Sequence, residues 1–164
     1  MAITKDKKRD IVAKIESAVK GAVSVAFVRF NRLTVADASK LRKELKSNGV
    51  GYYVAKKTLI KLVMNTKGYG GAMPDLPGEI AIAWSTDDAT APAREVYDFG
   101  KKLKGALALV GGVFENAYLD AARITAIATI PPLPILRGMF VNVINAPRHT
   151  FVVALSEIAK KKAP

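Results

Sequence analysis

Lys56 and Lys57 stand between two segments of opposite character. Before them, Tyr52-Tyr53-Val54-Ala55 is rich in aromatic and β-branched residues and predicts a strand. After them, Thr58 takes the capping position of a helix that reaches about Lys67. Two ammonium groups there face the positive end of the helix dipole, which costs a few tenths to about 1 kcal/mol each. The same corner offers unpaired backbone N–H groups, so helix start and lysines together form an anion site. The chemistry this spacing points to is phosphate binding. A merely solvated turn is the plain alternative.

A catalytic set does not emerge from the remaining reactive side chains. His149, the one histidine, falls on the polar side of a helical pattern near the C-terminus. Asp87-Asp88 precede a helix and suit its positive N-terminus. Glu115 and Asp120 lack the spacing of metal ligands, and Trp84 ends an apolar strand and reads as core. Gly68-Tyr69-Gly70-Gly71 is reminiscent of a phosphate-cradling loop but has no Gly-Lys-Ser/Thr ending, so it reads as a plain loop. With no cysteine there is no disulfide or thiolate chemistry, which fits a reducing cytoplasm. The chain is therefore expected not to be an enzyme, and to need no metal, cofactor or small-molecule substrate.

Charge points to a partner instead. The formal net charge is +12, and residues 1–62 hold 15 of the 26 Lys and Arg but only 5 of the 14 Asp and Glu. That portion carries +10, against +2 for the rest. Such asymmetry favours a polyanion, and in the cytosol that means nucleic acid. Half of the residues are apolar, so a packed core is expected. The basic N-terminus is not followed by an apolar stretch, and no run of about 18 apolar residues occurs, so neither a signal peptide nor a membrane span is expected.

The elements that must position these residues follow from periodicity. Ile11, Ile15 and Val19 mark a first helix from about Thr4 to Lys20, stopped by Gly21. Ala22 to Val28 reads as a buried strand, Arg29 to Leu33 as a turn, and Thr34 with Asp37 as a capping pair opening a second helix. Asn48-Gly49 ends it before the strand Val50 to Ala55. Further strands are expected at Glu79 to Trp84 and Ala106 to Phe114, where Gly111-Gly112 suggests a bulge or close approach. Helices are expected from Ser85–Asp88 to about Lys104 and from Asp120 to Thr129. Leaving aside the first and third helices, the order is strand, helix, strand, strand, helix, strand. That is the split βαβ arrangement of ferredoxin-like α/β (α+β) domains, with a mainly antiparallel four-stranded sheet and extra helices. The third helix reads as an insertion.

Beyond Pro131-Pro132 the pattern changes. Ile135, Leu136, Met139, Phe140, Val143 and Ile144 form one helical stripe; after Ala146-Pro147 a second segment carries Phe151, Val152, Leu155, Ile158 and Ala159. Residues 1–130 are thus expected as one domain and 131–164 as a protruding helical extension, whose apolar face marks a partner site. Folding back as core is the alternative; too few basic residues accompany the stripe to favour a membrane surface.

The segment RLTVADASKLRKELKSNGVGYYVAKKTLIKLV, Arg32 to Val63, resembles the signature of the ribosomal protein ten family of the large subunit, which anchors the acidic stalk. The matching positions are Leu33-Thr34-Val35, Leu41-Arg42, Gly49 and Lys56-Lys57-Thr58-Leu59, and the likeness extends to LVGGVFEN, the proline break and the Lys-rich ending. Lys57 replaces the family's common Asn, and Arg32 stands where a small turn residue is usual. The resemblance implies a ferredoxin-like domain on large-subunit rRNA at the stalk base, beside ribosomal protein eleven. It also implies a C-terminal helix that binds dimers of the acidic stalk proteins seven/twelve, which recruit translational GTPases.

The residues expected at RNA are Lys5, Lys7, Lys8, Arg9, Arg29, Asn31, Arg32, Lys56, Lys57, Thr58 and Lys61, with lysines as point charges and arginines able to pair bidentately. Those expected at the stalk proteins are Met139, Phe140, Val143, Ile144, Phe151, Val152, Leu155, Ile158 and Ala159. Two rivals remain open at this point. One is a nucleic-acid-processing enzyme of this fold; the other is a non-ribosomal nucleic-acid-binding module that dimerises through its C-terminal helix.

Overall fold

The computed structural model describes residues 5–31, 33–103 and 105–162. In chain order the elements are α1 (Lys5–Lys20), β1 (Ser24–Phe30), α2 (Val35–Ser47), β2 (Val50–Val54), α3 (Lys57–Lys67) and β3 (Ile80–Ser85). They continue with α4 (Ala91–Lys102), β4 (Leu107–Phe114), β5 (Ala117–Asp120), α5 (Ala121–Ala128) and α6 (Leu133–Lys162). Residues up to Ile130 form one compact unit and those from Pro131 onward another.

The sheet is antiparallel throughout, in the order β2-β3-β1-β4-β5. Its first four strands have the split βαβ order, but the sheet has five strands where the sequence suggested four. The additional strand β5 is four residues long and returns from β4 through Glu115 and Asn116, both at positive φ (48° and 65°). Two such residues in succession are the signature of a tight hairpin whose twist matches its strands. Glu is an uncommon occupant of that conformation, which hid the turn. The Gly68–Gly71 loop lies against this strand: Tyr118 N–H donates to the Gly70 carbonyl (2.8 Å) and Gly70 N–H to that of Asn116 (3.0 Å).

Helices cover both faces of the sheet. Ile15 and Val19 of α1 and Ile60, Val63 and Met64 of α3 pack on Val25, Phe27, Ile80 and Ile82. Leu41 and Leu45 of α2 and Val96 and Phe99 of α4 pack on Ala26, Val28, Ala81 and Ala83 of the other face. α3 is inserted between β2 and β3, as the sequence suggests, and with α1 it forms a layer of its own. Strands buried on both sides read as continuous apolar runs rather than alternating ones, as AVSVAFV and EIAIAW do.

Local chemistry sets the boundaries. Thr34 caps α2 by accepting from Asp37 N–H (3.2 Å) while its hydroxyl donates to Asp37 Oδ2 (2.6 Å). Asp120 caps α5 through Arg123 N–H (3.1 Å). Asp88 does not begin α4; it accepts from Thr90 N–H and Oγ1 (2.8 and 2.9 Å) and pairs with Arg94 (3.3 Å), bracing the loop before the helix. Burial raises its carboxyl, but these hydrogen bonds and the Arg94 charge together hold it below the usual carboxylate range. At Gly111 a Cβ would press on the Leu119 carbonyl (2.7 Å), and the register with β1 shifts between Phe27 and Val28, so close approach and bulge occur together.

Candidate nucleic-acid interface and apolar helix

The expected capping role of Thr58 is not what forms. α3 begins one residue earlier, because the Lys56 carbonyl accepts from both Leu59 N–H (2.9 Å) and Ile60 N–H (3.2 Å), which makes Lys56 the N-cap. Lys56 has no side-chain cap bond, Lys57 is the first helical residue and Thr58 lies exposed in the first turn. Both lysines are thus nearer to the helix start than the sequence implied. The dipole penalty and the attraction for an anion grow together.

The expected turn at Arg29 also gives way to structure. Arg29 and Phe30 continue β1, with Arg29 opposite Ile80 on β3 and Ala108 on β4. The Arg29 stem runs beside Gly78, and Asn31 N–H donates to the Ala106 carbonyl (2.9 Å). Arg29, Asn31, Lys56, Lys57 and Thr58 are therefore gathered around one end of the sheet, all exposed. Lys61 is exposed one turn further along α3, and Lys7, Lys8 and Arg9 are exposed in the first turns of α1. Lys5 belongs to α1, its side chain lying outside what the structure describes; Arg32 lies outside the described residues altogether. Among the described residues, ion pairs join Arg94 to Asp88 and Glu95, Lys102 to Glu44 and Lys160 to Glu157, and none uses a cation of this basic end.

A cavity of about 450 Å³ opens at the same end. Lys56, Lys57, Gly78 and Glu79 line it together with the apolar side chains of Ile11, Phe30, Val54 and Leu59. Phe30 was hidden in the sequence because it reads there as part of a turn; only the pairing of β1 with β4 carries it to the cavity. Among the described residues, no three His, Asp or Glu side chains gather as metal ligands.

α6 is one helix of 30 residues, where the sequence suggested two segments. Pro147 lies inside it without ending it. Leu136, Phe140, Val143, Pro147, Phe151 and Ile158 recur at helical spacing along one side, with Met139, Ile144 and Leu155 flanking. Val152 and Ala159 stand further round the helix. The large apolar side chains are exposed, among them Phe140 (67%), Val143 (72%) and Phe151 (64%). His149 is exposed on the same helix, and among the described residues no single helix is long and apolar enough to cross a membrane.

Residues 3–101 match the family model described as Ribosomal protein L10, a match that covers more than half of the chain. The chain belongs to the ribosomal protein L10 family. It is similar to proteins named large ribosomal subunit protein uL10 in several bacteria. That of Clostridium acetobutylicum is 36% identical over 155 residues, covering 94% of this chain and 92% of the relative. That of Shouchella clausii is 33% identical and that of Staphylococcus carnosus 31%, each over 157 residues, 96% of this chain and 94% of the relative. The L10 family is one of large-subunit ribosomal proteins and not a family of enzymes, which assigns this member to the cytoplasmic translation machinery.

Proposed function

We propose that this L10-family chain is a two-part scaffold of the large subunit. Residues 1–130 bind large-subunit rRNA at the stalk base, beside ribosomal protein eleven. Residues 131–164 hold dimers of the acidic stalk proteins seven/twelve, in support of translational GTPase recruitment. It acts by binding, without catalysis, cofactor or small-molecule substrate.

The observation that carries the reading is α6, whose large apolar side chains stand exposed along a single helix. An exposed apolar patch of that extent marks a protein partner, and a helix laid in a groove reads its anchors at i, i+3/i+4 and i+7. Met139, Phe140, Val143, Ile144, Phe151, Val152, Leu155, Ile158 and Ala159 are the anchors proposed. The RNA half is supported by the basic end of the sheet, where Lys7, Lys8, Arg9, Arg29, Asn31, Lys56, Lys57, Thr58 and Lys61 are exposed. Lys5 and Arg32 are proposed as RNA contacts from the sequence alone.

Binding of purified large-subunit rRNA, titrated over a range of salt, tests the RNA half. Each phosphate contact contributes about −0.7 to −0.9 to the log–log slope. Lys56→Ala/Lys57→Ala should shallow that slope by about 1.4–1.8. Since the two charges also oppose the α3 dipole, the free variant should be no less stable than the wild type. A flat salt response in the wild type would contradict the assignment.

A further inference from the structure

We propose that the cavity at the basic end of the sheet receives one unpaired RNA base, turned out of its stack, with the flanking phosphates on Lys56 and Lys57. The proposal rests on the rRNA-binding reading and deepens it: contact here is to a base as well as to backbone. The cavity sits where β2, β3 and β1 end side by side. Val54 pairs with Ala81 next to Ile80, and Ile80 pairs with Arg29 next to Phe30. Side chains from both faces of the sheet reach it. Ile11, Ala55 and Ile80 belong with the α1/α3 core, while Phe30 belongs with the α2/α4 core.

Its size and lining select the occupant. About 450 Å³ lies within the range of roughly 300–1,000 Å³ typical of small-ligand sites, which are apolar with a few placed polar groups. A phosphate alone would be served by the lysines and the uncapped start of α3, and would leave the apolar walls without purpose. An apolar side chain of a protein would use the walls and gain nothing from two ammonium groups. A nucleotide uses both, its flat ring against the walls and its phosphates at the mouth. Single-stranded RNA is read in this way, by bases splayed onto aromatic and apolar side chains. Glu79, which also lines the cavity, is an acceptor for a base N–H.

The test uses the full chain and purified large-subunit rRNA. Leu59→Trp and Val54→Trp fill the cavity and leave every lysine in place; Val54 is 41% exposed, so its variant keeps the test open if the half-buried Leu59 does not tolerate the change. Circular dichroism and thermal unfolding confirm that each variant is folded. Each plug should weaken binding about tenfold, the scale of one lost base stack, with the salt slope unchanged. Chemical probing of the rRNA with dimethyl sulfate and carbodiimide should show an unpaired base that the wild type protects and the plugged variants expose. Wild-type affinity and footprint in a folded plugged variant would overturn the proposal. Loss of a protein contact on the assembled subunit with RNA binding intact would overturn it in favour of an apolar side chain as occupant. Failure of the underlying reading has its own signature: no salt slope in the wild type and no protected base at all.

Discussion

The indole of Trp84 on β3 lies over the backbone of Gly51, its register partner on the edge strand β2, so closely that a Cβ at position 51 would overlap the ring. The strand thereby closes on the large side chain with no gap. Gly51→Ala should displace the indole and destabilise the domain by about 1–3 kcal/mol, the usual scale of an overpacked site. Trp84 is the one tryptophan, so its emission reports the change directly. An unaltered spectrum and unfolding midpoint would contradict this packing.

Tyr52, next along the same strand, makes stability depend on alkaline pH. Burial lifts its phenol from 10.0 to about 12, against a smaller opposing pull from Arg42. The folded state therefore favours the neutral phenol. Its contribution is complete below pH 10.0 and is lost as the pH climbs towards about 12. Burial raises Tyr69 and Tyr118 in the same direction. Thermal unfolding followed across that window should show a falling midpoint, and Tyr52→Phe should remove part of the fall. Identical pH profiles for the two proteins would contradict the assignment to Tyr52.

Pro147 interrupts the hydrogen-bond ladder of α6, since it has no N–H for the Val143 carbonyl and its ring crowds that group. An interior proline costs about 3 kcal/mol or more, yet the helix runs on for fifteen residues to Lys162. Pro147→Ala should raise the helical signal of the full chain and delay the loss of that signal on heating. An unchanged or smaller signal would mean that the helix does not continue through this position.

Much of the fold was legible because local chemistry and tertiary packing agree there. Thr34 with Asp37, the Asn48-Gly49 stop and Asp120 before α5 all do locally what the structure requires. The failures fall where residue type is a poor guide to the conformation adopted, or where the deciding contact joins distant segments. β5 is too short to show a pattern and turns through Glu115, a residue that rarely adopts positive φ. The start of α3 is set by bonds to the Lys56 carbonyl rather than by the better capping residue nearby. Pro147 reads as a helix end in sequence, and the structure keeps it inside. At the basic end, the lysines were visible as charges out of place. The cavity beside them was not, because Ile11, Phe30, Val54 and Leu59 meet there only through sheet pairing and helix packing.

The division of labour between the two parts is tested most directly by sedimentation on sucrose gradients. Large subunits assembled with the full chain, or with residues 1–130 alone after circular dichroism has verified their fold, are analysed for the chain and for stalk dimers. The account predicts that residues 1–130 travel with the subunit while the dimers of stalk proteins seven/twelve are lost. Dimers retained without residues 131–164, or a folded 1–130 fragment that leaves the subunit, would contradict it.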